Sequence, residues 1–129
     1  SDKIKIMNTV TIQNIKLIVF FGSRSRGTAG ACSDADIAVL GEHPLSYEEL
    51  SDISAEVADM LHISEDNIDI VDLWNASPLL LHQVGETGKL LYGSESDFTR
   101  FRVLAWKRYQ DTAKFRRARE KYFDKKYGQ

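Results

Sequence analysis

Two aspartates follow a Gly-Ser pair at a short distance in the segment FFGSRSRGTAGACSDADIAVL, residues 20–40. Gly22 ends an apolar run, where the backbone can approach a ligand closely, and exposed N–H groups in such a turn, with the Ser23 hydroxyl, can hold phosphate oxygens. On a strand, Asp34 and Asp36 would share one face, and two carboxylates can hold Mg²⁺, which is often shared with substrate phosphates. The spacing therefore predicts adjoining phosphate and metal sites.

A third carboxylate from the next strand would complete a two-metal site, in which ions about 3.5–4 Å apart stabilise the attacking and leaving oxygens of an in-line displacement. Asp69 and Asp72 are the candidates, and their spacing of three residues puts them on opposite faces of a regular strand. We favour Asp69, because it sits inside an apolar run where an unpaired carboxylate would be costly, and keep Asp72 as the alternative. Arg24 and Arg26 are candidates for neutralising the phosphate charge that the metals leave uncovered.

Four short segments have the composition of strands that would position these residues. Residues 16–21 (KLIVFF) form an apolar run that stops at Gly22, and residues 34–40 (DADIAVL) alternate between polar and apolar side chains. Residues 67–73 (NIDIVDL) are rich in β-branched side chains, and residues 89–92 (KLLY) predict a brief fourth strand.

Two helices are predicted between these strands. A capping box that starts at Ser46 predicts a helix over residues 47–62. Ser77 and Pro78 have the pattern of an N-cap and a first helical position, and the short helix that follows is expected to end at about Gln83.

The C-terminal part of the chain is strongly basic. Residues 97–129 hold eleven Lys and Arg against four acidic residues, whereas residues 1–96 hold six basic and fifteen acidic residues. The pattern predicts a long basic helix over residues 97–123, which either lies over an acidic region of its own domain or meets an acidic partner. The side chains near its apolar face are Phe101, Ala105, Tyr109, Thr112, Phe115 and Tyr122.

The 129 residues, 43% of them hydrophobic and 28% charged, suit one domain. We expect a folded core over residues 16–96, with a basic C-terminal helix packed on it over residues 97–129. The sequence pattern leaves open the structure of an N-terminal leader over residues 1–15. No run approaches the roughly 18 apolar residues that span a bilayer, no secretion signal precedes the first strand, and the lone Cys32 has no internal disulfide partner. These features favour the cytoplasm.

The segment GSRSRGTAGACSDADIAVL resembles the signature of the DNA polymerase beta-like nucleotidyltransferase superfamily, which is Gly-Ser, a spacer of ten residues, and Asp-x-Asp. Within it, the chain is similar to the minimal nucleotidyltransferases, small prokaryotic proteins that consist of little more than this domain. The segment NIDIVDLWNASPLLLHQVGETGKLLYG resembles their next part, a strand with the third carboxylate, a short helix and another strand. The likeness covers residues 16–93 well and the basic helix loosely.

This resemblance implies an α/β (α+β) fold with a small mixed β-sheet flanked by helices and a long C-terminal helix. It also implies an NTP bound with two Mg²⁺ ions, and transfer of a nucleoside monophosphate to a hydroxyl with release of pyrophosphate. Carried onto this chain, Gly22 and Ser23 hold the triphosphate, Asp34 and Asp36 bind the metals, and Asp69 is the third carboxylate.

The resemblance further implies a partner, because minimal nucleotidyltransferases are commonly encoded beside a HEPN-type helical toxin with RNase activity. They act as its antitoxin by transferring AMP from ATP to a tyrosine. Two alternatives stay open: a transferase that acts on a small molecule or on a nucleic acid end, and an antitoxin that neutralises its partner by binding alone. A sequence pI near 5.9 argues against nucleic acid.

Overall fold

The computed structural model describes residues 14–22, 35–113, 115–119 and 121. None of the helices in these ranges is long and apolar enough to cross a membrane. The strands are β1 (Ile15–Phe21), β2 (Ala35–Gly41), β3 (Ile68–Asp72) and β4 (Lys89–Tyr92), the α-helices are α1 (Tyr47–Leu61), α2 (Pro78–Thr87) and α3 (Glu95–Asp111), and short 3₁₀ turns span Glu65–Asn67 and Leu73–Asn75.

The four strands form one mixed sheet in the order β3-β2-β1-β4. The central strand β1 is antiparallel to both β2 and β4, whereas β2 and β3 are parallel. All four strands appear where the sequence predicts them, and no bound differs by more than one residue. The mixed sheet flanked by helices confirms the predicted fold class.

Helices cover both faces of this sheet, so its central strands are apolar on both sides. Side chains alternate along β2 as the sequence predicts, and this alternation separates the two layers. Ala38 packs with α2 and α3, whereas Ile37 and Val39 pack with α1. The layer under α2 and α3 contains Leu17, Val19, Phe21, Ala38, Leu73, Leu81, Val84, Phe98, Phe101 and Ala105. The layer under α1 contains Ile15, Ile18, Ile37, Val39, Ile53, Val57 and Leu91.

Helix α1 begins at the capping box that the sequence predicts. Ser46 Oγ accepts a hydrogen bond from the Glu49 N–H at 3.0 Å, and Glu49 Oε1 accepts one from the Ser46 N–H at 2.8 Å. His62 ends the helix in the left-handed conformation, with φ of 61°. The predicted helix therefore agrees with the observed one to within one residue.

Helix α2 begins as predicted, since Ser77 Oγ accepts from the Leu80 N–H at 3.1 Å and Pro78 is the first helical residue. The predicted end at Gln83 was wrong, because the helix continues to Thr87. Val84 is fully buried in the core, and packing of this residue stabilises the additional turn. Such a contact comes from another part of the chain and leaves no local signal.

Helix α3 spans Glu95–Asp111 rather than residues 97–123. The described residues after Thr112 are again helical. Phe101 and Ala105 are buried as predicted, but Phe115 is 75% exposed and does not belong to the apolar face. No buried side chain is found after Ala105 in the described ranges. Residues 1–13 and Tyr122 lie outside the described residues.

Substitution by alanine should change the free energy of unfolding in opposite directions at two glycines near the end of α2. A Cβ on Gly88 would lie 2.4 Å from both Val19 Cγ1 and the Val84 carbonyl oxygen, whereas a Cβ on Gly85 would make an ordinary contact of 3.6 Å with Arg102. We expect Gly88→Ala to lower the free energy of unfolding by about 1–3 kcal/mol through overpacking. The matched control Gly85→Ala should raise it by about 0.5–1 kcal/mol, because alanine favours the helix. Urea denaturation of both variants measures these changes, and equal midpoints would contradict the packing at Gly88.

Candidate functional site

Asp36 and Asp69 lie directly opposite each other in the parallel pair β2–β3. Paired residues on adjacent strands point to the same face of the sheet, with backbones about 4.8 Å apart. Ala38 and Val71, two residues further along each strand, pack in the layer under α2 and α3. The two carboxylates therefore lie side by side on that face, at the ends of β2 and β3 where these strands begin.

Gly22 brings the turn after β1 to the same place. Its neighbour Phe21 pairs with Asp36 across the antiparallel strands, and Gly22 adopts a φ of 88°, which disfavours residues with a side chain. A Cβ at this position would lie only 2.6 Å from Asp36 Oδ2. The glycine is thus required both by backbone conformation and by the close approach of the carboxylate.

The C-terminal end of α2 completes this cluster. The Gly22 N–H donates a hydrogen bond to Thr87 Oγ1 at 3.1 Å, and the Thr87 hydroxyl donates to the Gln83 carbonyl oxygen at 2.9 Å. Sequence reasoning missed Thr87, because 65 residues separate it from Gly22 and no local pattern marks it.

Asp72 occupies a different place and has a different set of contacts. It pairs with Val39 rather than with Asp36, towards the other end of β2. Asp72 Oδ2 accepts a hydrogen bond from the Leu45 N–H at 2.9 Å, and Oδ1 accepts one from the Trp74 N–H at 3.0 Å. Both carboxylate oxygens therefore bind backbone amides, which gives Asp72 a role in holding the turn after β3.

The burial argument for preferring Asp69 was wrong, since this side chain is exposed. β3 is an edge strand of the sheet, and Asp69, its second residue, reaches water although Ile68 and Ile70 beside it are apolar. What associates Asp69 with Asp36 is the register of the parallel strands.

Four residues that the sequence singles out, Ser23, Arg24, Arg26 and Asp34, lie outside the described residues. Within the described ranges, no group of three or more His, Cys, Asp or Glu side chains comes together as a metal site. Asp36 and Asp69 nevertheless supply two adjacent carboxylates, and such hard oxygen donors fit Mg²⁺. Two carboxylates beside a glycine turn can bind the metal of a metal–phosphate complex.

Comparison with known proteins shows the family of the chain. The family model described as "Polymerase beta, Nucleotidyltransferase" matches residues 4–97, a range that holds the glycine turn and every candidate carboxylate. The chain belongs to this nucleotidyltransferase family. The family predicted from the sequence is thereby confirmed.

Two curated relatives of this nucleotidyltransferase are named protein adenylyltransferase MntA. The one from Shewanella oneidensis is 37% identical over 99 residues, which cover 77% of this chain and 69% of the relative. The one from Aphanizomenon flos-aquae is 38% identical over 106 residues, which cover 72% of this chain and 69% of the relative.

Two similar solved chains come from toxin–antitoxin complexes. One, a toxin–antitoxin with AMP-PNP, superposes with a TM-score of 0.70 at 36% identity and covers 83% of this chain and 84% of that chain. Another is the tri-AMPylated Shewanella oneidensis HEPN toxin in complex with the MNT antitoxin, with a TM-score of 0.63 at 34% identity, covering 83% and 81%.

The contacts of Asp69 and Asp72 predict different effects on stability. Asp72→Ala leaves two backbone N–H groups without their acceptor and should lower the free energy of unfolding by about 1–2 kcal/mol. The matched variant Asp69→Ala changes an exposed edge-strand residue and should stay within about 0.5 kcal/mol of the unsubstituted protein. Chemical denaturation without nucleotide or metal distinguishes them, and equal losses would contradict the distinct role of Asp72.

Proposed function

We propose that this nucleotidyltransferase transfers AMP from ATP to a tyrosine hydroxyl of a HEPN-type toxin, and so acts as its antitoxin. The observation that carries the proposal is the register that sets Asp36 beside Asp69 at the Gly22 turn. The 37% identity to a protein adenylyltransferase and the similarity to an antitoxin in complex with an AMPylated HEPN toxin support this acceptor. The cytoplasm, where ATP is abundant, is the proposed location.

The proposed roles divide between the strands and the loop that joins them. Bound Mg²⁺ ions would neutralise charge on the phosphates during in-line displacement at the α-phosphorus. The chain positions the ions through carboxylates at the strand ends and the triphosphate through the glycine turn. The proposed metal ligands are Asp34, Asp36 and Asp69, and the proposed triphosphate-binding residues are Gly22, Ser23, Arg24 and Arg26.

The open side of the site supports a protein acceptor. Asp69 is exposed on the edge strand β3, so a large partner can approach the carboxylates from that side. A hollow of about 310 Å³ between the sheet and α3 is large enough for a small molecule, but Lys16 and Leu40 among its lining residues place it at the opposite end of β1 and β2. That hollow therefore does not adjoin the carboxylates as an acceptor pocket would.

Labelled ATP tests the transfer and the metal ligands together. With Mg²⁺ and the purified HEPN-type protein encoded nearby, the enzyme should label a tyrosine of that protein. Asp36→Asn and Asp69→Asn should each lower the rate by at least about 100-fold, because a metal ligand is lost. Asp72→Asn, a matched carboxylate-to-amide change away from Asp36, should keep the rate within about threefold. Gel autoradiography and peptide mass spectrometry supply the measurements.

Several outcomes would contradict parts of this proposal. Labelling that survives Asp36→Asn would exclude the metal site, and labelling that Asp72→Asn removes but Asp69→Asn leaves would move the third carboxylate to Asp72. If Asp36→Asn abolishes labelling and the variant still inhibits the toxin's RNase, binding alone is sufficient for neutralisation. Labelling of an aminoglycoside or an RNA end, with none on the HEPN-type protein, would favour the alternative acceptors.

A further inference from the structure

The hydroxyl of Thr87 joins the end of α2 to the turn at Gly22 through two hydrogen bonds of opposite sense. As a donor it binds the Gln83 carbonyl oxygen at 2.9 Å, one turn earlier in the same helix. As an acceptor it receives the Gly22 N–H at 3.1 Å. The first bond orients the hydroxyl, so that its oxygen lone pairs are available to the Gly22 amide.

The position of Thr87 relative to the sheet is itself well determined. Leu81 and Val84 of α2 are buried in the layer that includes Val19 of β1. Gly88, the residue after Thr87, lies so close to the sheet that a Cβ would come within 2.4 Å of Val19 Cγ1. Because packed interiors yield little, the Thr87 oxygen is held at a fixed distance from the end of β1.

The place of the Gly22 backbone determines the space around the Asp36 carboxylate. With φ at 88° and only 2.6 Å between an added Cβ and Asp36 Oδ2, the turn passes so close to the carboxylate that no side chain fits between them. A displacement of a fraction of an ångström in the turn would therefore change the orientation of Asp36, and misplacement on that scale reduces catalysis strongly.

We propose that Thr87 is a positioning residue for nucleotide binding, whose hydroxyl holds the Gly22 turn against Asp36. The inference rests on the proposed function. It also changes the expected role of Gly22. Its N–H donates to Thr87, so the part of Gly22 in holding the triphosphate is to set the conformation of the turn rather than to donate its own amide. Gly22 itself contributes the conformation that the turn needs and room for the carboxylate.

Three variants distinguish the effect of the Thr87 hydroxyl from the effect of the side chain's branched shape. Thr87→Val keeps the branched shape and removes the hydrogen bonds with Gly22 and Gln83, whereas Thr87→Ser keeps the hydroxyl. Thr112→Val is the control, because the Thr112 hydroxyl also donates to a carbonyl oxygen near a helix end, that of Tyr109, at 2.8 Å. Helix α3 runs from Phe98, which lies by Gly88, to Tyr109, which stacks on His82 in the middle of α2, so this control lies away from the Gly22 turn.

Two measurements use these variants. Amide hydrogen exchange of Gly22 in the ligand-free protein should be faster in Thr87→Val and unchanged in Thr87→Ser and Thr112→Val. Calorimetric titration with AMP-PNP and Mg²⁺ should give a Kd about tenfold higher for Thr87→Val, and within about twofold of the unsubstituted protein for the other two. Thermal unfolding of Thr87→Val and Thr112→Val should shift by similar amounts, since each loses a hydroxyl that bonds to its own helix.

The same measurements include results that would contradict the role of Thr87 or the metal site. An unchanged Kd in Thr87→Val would overturn the inference, and so would a Thr87→Ser variant that binds as weakly as Thr87→Val, because packing of the methyl group would then explain the effect. If Asp36→Asn weakens binding while Thr87→Val does not, only the role of Thr87 is wrong. If Asp36→Asn binds Mg²⁺ and AMP-PNP as tightly as the unsubstituted protein, the proposed metal site is wrong.

Discussion

The parallel pairing of β2 with β3 places Asp36 opposite Asp69, and the candidate site depends on this register. A slip of one residue would send one carboxylate to the other face of the sheet and take the apolar side chains with it. Burial on both faces opposes such a slip, because Ile37 packs under α1 and Ala38 packs under α2 and α3. The same apolar contacts that stabilise the fold thus hold the two acidic side chains together.

Placing carboxylates at strand ends reconciles this chemistry with an apolar core. Asp36 and Asp69 each follow the first residue of a strand, and β3 lies at the edge of the sheet, where Asp69 reaches water. A pair of carboxylates in the centre of the sheet would lose hydration without compensation. The edge position also leaves the site accessible from the side of β3, as transfer to a protein acceptor requires.

The two aspartates of β3 show how tertiary contacts assign different roles to residues of the same type. Asp72 accepts hydrogen bonds from the Leu45 and Trp74 amides and holds two chain segments together. Asp69 has Asp36 as its neighbour across the strands. The apolar run around Asp69 predicts a buried side chain, but Asp69 is exposed, because a strand's place in the sheet is a property of the whole fold.

Local patterns in the sequence determined the strands, the start of α1 and α2, and the family, because capping, alternation and the Gly-Ser and Asp-x-Asp spacing act over a few residues. Helix ends were harder to predict: α2 continues past Gln83 because Val84 packs in the core, and among the described residues α3 has no buried side chain after Ala105. The order β3-β2-β1-β4, the exposure of Asp69 and the contact of Thr87 with Gly22 were decided only by the tertiary structure. Each of them depends on contacts between segments far apart in the chain, which no local pattern encodes.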